Sequence, residues 1–388
     1  MTAMVQKHLA LQLSPFHLQC ALFEAETLVR HEELPLYPSN ASALERVSSW
    51  LKTGETPPRI LAAATPPGRL LRLSSARGTP FAALTTLLDL PPGEKPVFTA
   101  CNAQTGDPSE ISGLFPRLLA AAPLASLHSS RAFFSDAGLP AARVFDAAYV
   151  QLGALASARE TTSTPVLVWE LGTDFSHFII LDHRGILAVE FCPVGIHHIE
   201  AAIQPALGLR FPVAASKLFF EGNYDFSDDG PKIVRRFLPD LRKCLTRLPV
   251  GPKYFHVAGL SRDQHWLTLA LADAWCLQPL QIDWAAYGRV NGISFASREL
   301  AASLPASFGG LLLLAKHRDS DKPAWQARWS DEPKPKARPA APAKPADKQS
   351  MPGLRPMFAA LTNVFSKPQA TSARRTPPAG AKPARHQA

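Results

Sequence analysis

Cysteine is scarce in this chain and shows no pairing pattern. The five residues, Cys20, Cys101, Cys192, Cys244 and Cys276, are odd in number and include no C-x-x-C pair. That excludes a disulfide framework and a zinc-ribbon site, and predicts reduced thiols, mostly buried. Long apolar runs are also lacking. No stretch reaches the roughly 18 residues needed to span a bilayer, and the run Leu9–Leu13 is too short for a signal-peptide core. The expectation is a cytoplasmic protein that reaches a membrane only by recruitment. Charge excess is missing from most of the chain: of 41 Lys+Arg and 32 Asp+Glu, residues 318–388 hold 14 and 5, leaving 27 of each in residues 1–317. A neutral folded part argues against a nucleic-acid-binding domain.

What is present is apolar material for two cores, 46% hydrophobic over 388 residues. Leu9–Leu13 and Leu18–Phe23 read as short strands around Ser14-Pro15-Phe16-His17, and Leu28–Leu34 reads as a third, ending at Pro35. Ser42 with Glu45 three residues on marks a helix start, with Leu44, Val47 and Leu51 on one face. The same order recurs about 157 residues later. Val166–Leu171, Phe178–Leu181 and Ile186–Val194 are the strands, and Ile199, Ala202, Ile203 and Leu207 the helix stripe, with Gly208 as its C-terminal cap. A helix over Lys232–Leu248, a strand over Tyr254–Val257, a helix over Gln264–Ala274 and a strand over Leu280–Ile282 follow. A unit that occurs twice indicates two related α/β halves facing a cleft; two unrelated α/β domains are the alternative.

The second copy carries chemistry in Glu170-Leu171-Gly172-Thr173-Asp174-Phe175-Ser176. Gly172 lets turn amides approach a phosphate, Thr173 and Ser176 offer hydroxyls, and Glu170 suits a magnesium ion held through water. An ordinary β-turn has the same composition. This stretch resembles the second phosphate hairpin of the actin-like ATPase superfamily. Pro193-Val194-Gly195, Ala137-Gly138-Leu139, the turn His256-Val257-Ala258-Gly259-Leu260-Ser261 and Phe308-Gly309-Gly310 resemble, in order, further segments of its PilM-like type IV pilus assembly members.

The resemblance implies an α/β actin-like ATPase fold: two ribonuclease-H-like halves, 1–160 and 161–317, around a cleft that binds ATP with magnesium, then a tail over 318–388. It implies nucleotide contacts at Glu170, Gly172, Thr173, Asp174, Ser176, Gly259 and Lys217, with Glu170 on the metal through water. An exposed helical lysine is the alternative for Lys217. The first hairpin departs from the family: Gln12 stands at an Asp, Ser14 at a Gly, and Pro15 has no N–H to offer. Loss of that carboxylate argues against efficient hydrolysis. The family's role is a cytoplasmic scaffold, peripheral at the inner membrane, working with inner-membrane pilus or secretion assembly proteins. An active ATPase or sugar-kinase-like phosphotransferase, and a polymerising filament protein, are the alternatives; a homo-oligomer is compatible with each.

Other constellations carry less. His197-His198 with Glu200 lacks partners at metal-ligand spacing, Gly292-Ile293-Ser294 lacks the second glycine of a nucleophile elbow, and Asp228-Asp229 sits in a Gly-Pro turn. Residues 318–388 contain 12 prolines among Lys, Ala and Ser, a composition expected to be disordered. One island breaks it. Leu354, Met357, Phe358, Leu361, Val364 and Phe365 fall at helical spacing, predicting a docking helix over 354–366 that forms against a partner protein or the protein's own surface or, with its basic flanks, an anionic membrane surface. Trp325 and Trp329 are either a second contact or part of the core.

Overall fold

Apolar strands that must hide both faces need a layer on each side, and Val166–Leu171 shows this directly: all six residues are buried. Leu167, Trp169 and Leu171 face one hydrophobic cluster, while Val166 and Val168 face another. The computed structural model describes residues 6–329, apart from 38–40, 52–57, 75–85, 87, 89, 91–92, 110–115, 140–142, 160–163, 320–324 and 327–328. Fourteen strands are found among them. They are β1 (Lys7–Leu13), β2 (His17–Glu24), β3 (Thr27–Pro35), β4 (Arg59–Ala64), β5 (Leu70–Ser74), β6 (Pro96–Asn102) and β7 (Arg117–Pro123). They continue with β8 (Val144–Asp146), β9 (Val166–Leu171), β10 (Ser176–Asp182), β11 (Gly185–Cys192), β12 (Tyr254–Ala258), β13 (Gln278–Pro279) and β14 (Ser294–Phe295).

The duplicated unit is present at the level of topology. One sheet has the order β14-β3-β2-β1-β4-β8 and another β11-β10-β9-β12-β13. In each, three antiparallel strands are continued by two parallel ones: β3-β2-β1 then β4 and β8, and β11-β10-β9 then β12 and β13. The last strand of the second sheet is the two-residue pairing Gln278–Pro279 on Tyr254 and Phe255, so the strand expected at Leu280–Ile282 is displaced to just before it. The Leu280 amide still donates to the Phe255 carbonyl (2.7 Å), and the pairing ends after it. A third sheet, β5-β7-β6, is inserted between β4 and β8 and is antiparallel throughout.

Three further differences from expectation have packing reasons. Ser42 lies inside the helix Ala41–Leu51 rather than capping it, and the buried residues are Ala43, Val47 and Trp50, with Leu44 half-buried. The indole carries more apolar area than a leucine, and Arg30 covers its face at 4.2 Å. The chain from Trp284 to Lys316, grouped by sequence with the second half, packs on the first. β14 pairs with β3, and the helix Gly309–Lys316 buries Leu311–Ala315 in the first half's cluster. Finally, packing continues past 317: Trp325 and Trp329 are core residues, the Trp325 amide donates to the Gly106 carbonyl (2.6 Å), and the Trp329 amide to that of Val144 (3.1 Å). The helix expected at 354–366 lies outside the described residues. No helix among the described residues is long and apolar enough to cross a membrane.

Candidate functional site

The first hairpin satisfies itself. Ser14 Oγ accepts the amides of Phe16 (3.2 Å) and His17 (3.1 Å), and the Ser14 amide donates to the His17 carbonyl (3.0 Å). Pro15 has no amide, so the turn presents no free N–H to an anion. Phe16 crosses into the second half's cluster, where its ring lies 6.1 Å from that of Phe220, which Tyr37 approaches on another side at 5.3 Å. Gln12 is buried beneath a helix crossing, where any Cβ at residue 310 would collide with its side chain. Gly310 is therefore required there, and its amide donates to Gln151 (3.2 Å).

The second hairpin is more open. Among the described residues, no partner is found for the amides of Thr173, Asp174 and Phe175. Ser176 is engaged instead: its hydroxyl donates to the Val194 carbonyl (2.6 Å) and accepts from the Trp169 indole (2.6 Å). The helix Ile196–Ala206 starts against this turn, with the Ile196 and His197 amides donating to the carbonyls of Gly172 (3.0 Å) and Thr173 (3.1 Å). Glu170, Gly172, Thr173 and Asp174 come together around one small cavity with Pro15, Arg69, Phe175 and His177. Gly259 and Lys217 line no part of it. Gly259 ends β12 at a φ of +89°, and Lys217 is exposed on the helix Pro212–Glu221, 3.9 Å from Glu221.

The central residue of this cavity is one that the spacing of motifs does not point to. After β4 the turn Pro66-Pro67-Gly68 feeds Arg69, whose side chain is 1% exposed. Its Nη2 is in direct contact with Glu170, and its Nε lies 3.5 Å from Asp146, the residue that caps the helix Ala147–Ala158 by accepting the Tyr149 amide (3.1 Å). His177 accepts the Leu71 amide at Nε2 (3.0 Å), so its Nδ1 carries the proton donated to Glu170 (3.2 Å). Burial lowers the His177 pKa and keeps the ring neutral. Burial by itself would raise Glu170, but Arg69 and His177 outweigh it and hold the carboxyl at about 2. Asp146 is pushed up by burial to about 6, since the more distant contact with Arg69 compensates it less. Burial opposes the charge of Arg69, and Asp146 and Glu170 together overcome it and raise its pKa.

This arrangement does not fit magnesium and a triphosphate. The Glu170 carboxylate is already paired, no group of three or more metal-ligand side chains is found among the described residues, and the cavity measures about 20 Å³. That is room for about one water. The turn after Gly259 is likewise engaged, its Arg262 amide donating to Glu33 of β3 (3.1 Å). Burial raises the Glu33 pKa against that bond and one from Gln19. A larger cavity of about 380 Å³ does open beside it, lined by His256, Ser261, His265, Thr268 and the loop 302–307.

No protein-family model and no curated protein sequence matches the chain. Solved structures do. The chain is 16% identical to a protein of the PilM–PilN type IV pilus biogenesis complex, covering 79% of this chain and 97% of that one at a TM-score of 0.54. It is also similar to a Bacteroides thetaiotaomicron protein with an actin-like ATPase fold (9% identity, 71% and 91% covered, TM-score 0.37). A third is the cytoplasmic domain of EpsL, an inner-membrane component of the Vibrio cholerae type II secretion system (10%, 70% and 94%, TM-score 0.32). The last two scores are too low to add to the argument. With the doubled strand order, the first is enough to show the fold: the chain is built on the actin-like α/β plan.

Proposed function

We propose that this chain is a cytoplasmic scaffold for assembly of a type IV pilus or a related secretion machine, held at the inner membrane by protein partners. The observation that carries this is the fold, matched across 97% of a protein solved in a pilus biogenesis complex. The closed first hairpin and the paired Glu170 support a structural rather than catalytic role for the cleft. ATP with magnesium is the cofactor that the fold suggests, but the paired Glu170 and the small cavity beside it do not fit that group.

A docking place is at hand in the first half. A groove of about 360 Å³ runs between the first hairpin and the helix Leu124–Asp136, lined by Leu13, Leu36, Leu44, Pro67 and Phe133. Its apolar floor suits a short hydrophobic segment of an inner-membrane partner, and the residues Leu354–Phe365 supply a second contact of amphipathic character. Tagged wild-type protein should recover inner-membrane assembly proteins from detergent extracts. Phe133→Asp should reduce recovery at least tenfold, and deletion of 350–370 should reduce it further. Equal recovery by Phe133→Asp would remove the groove from the proposal, and no recovery by the wild type would remove the scaffold reading itself.

A further inference from the structure

Asp146 of the first half and Glu170 of the second are both buried and both approach the same side chain. Two buried carboxylates beside one another need a cation between them. The group standing there is Arg69. Its guanidinium comes from the first half, contacts Glu170 of the second half directly, and is buried with both partners. Its Nη1 is buried and has no protein partner among the described residues, and the adjoining cavity holds about one water.

We propose that Arg69 is a built-in counter-ion that takes the place of a divalent cation, fastening the two halves together so that the closed cleft needs neither metal nor nucleotide. Two other bridges act in the same sense: Phe16 inserts beside Phe220, and Glu33 accepts the Arg262 amide across the cleft. Both are made by first-half side chains. The guanidinium offers a planar fork to carboxylates, which suits it to this position better than a lysine, whose shorter reach and single nitrogen would leave one carboxylate unpaired.

The inference goes beyond the scaffold reading and is tested apart from it, on the full chain, by Mn²⁺ binding followed by electron paramagnetic resonance and by thermal unfolding with and without Mg²⁺ or Mg·ATP. The wild type should bind no Mn²⁺ at millimolar concentration, and its melting temperature should be the same in Mg²⁺, Mg·ATP and chelator. Arg69→Ala should melt lower by roughly 5–10 °C. It should bind Mn²⁺ at least tenfold more tightly than the wild type and recover part of the lost melting temperature when Mn²⁺ is added. Arg69→Lys, which keeps the charge, should fold, melt between the two and bind no Mn²⁺. Mn²⁺ binding by the wild type or by Arg69→Lys, or a wild-type melting temperature raised by Mg·ATP, would overturn the proposal even if Arg69→Ala failed to fold. So would a folded Arg69→Ala protein indifferent to Mn²⁺. None of these readouts depends on partner recovery, so failure here leaves the scaffold reading standing.

Discussion

Buried histidines set the acid limit of this molecule. Burial lowers His17 and His256 to about 4, so both stay neutral in the folded chain at pH 5 while an unfolded chain would protonate them. The unfolded state then binds more protons as pH falls from about 6.5 to about 4, and stability is lost across that window. Asp146, raised to about 6, runs the other way: the folded state keeps a proton the unfolded chain sheds, so stability is lost as pH rises from about 4 to about 6. His256→Gln should therefore remove about 2 kcal/mol of the stability lost between pH 7 and pH 5, read from urea midpoints at the two pH values. An unchanged pH difference would show that His256 is not held neutral. At this scale the sequence was partly legible. Glu170 and Gly172 announce themselves because a glycine turn after an apolar strand is a local pattern, whereas Arg69 is defined by a partner 101 residues away, which no spacing encodes.

Elements were legible where periodicity and propensity agree. The strand–strand–strand–helix unit shows in both copies because alternating and helical stripes coincide with turn residues. β7 was not foreseen. Its Leu118-Leu119-Ala120-Ala121-Ala122 has the composition of a helix, and only its central place between β5 and β6 makes it a strand. The C-terminal strap is a second case, since Trp325 could not be assigned to the core until its seat was visible. That seat is made of two glycines: a Cβ at Gly106 or at Gly153 would overlap the Trp325 side chain. Gly153 sits within the helix Ala147–Ala158, where alanine normally stabilises by about 1 kcal/mol. Here Gly153→Ala should instead destabilise by about 1–3 kcal/mol by displacing the indole, with Trp325 fluorescence shifting to longer wavelength on the same sample. A stabilised variant would mean that the strap does not hold Trp325 on this helix.

At the scale of the whole molecule, the first half is discontinuous. Its cluster takes in β1 to β4, residues such as Val166, Val168, Ile179, Leu181 and Ala258 from one face of the second half's sheet, and then, after the second half has been threaded through, Trp284, Ile293, Leu311–Ala315, Trp325 and Trp329. The second half's cluster is drawn almost wholly from residues 167–272, with Phe16 as its one contribution from the N-terminal strands. On a ribosome, where the chain emerges from its N-terminus, the order of folding is then the reverse of the order of synthesis. The N-terminal strands can pair with one another early, but they lack the apolar cover of the closing helix until it has left the exit tunnel, while the second half's own cluster is complete by residue 272. Nascent chains stalled with about 280 residues outside should resist protease over residues 164–280 and be cut within 7–64; chains exposed past 330 should resist over both. The interval between those lengths is when this protein is most exposed to aggregation and most in need of a chaperone.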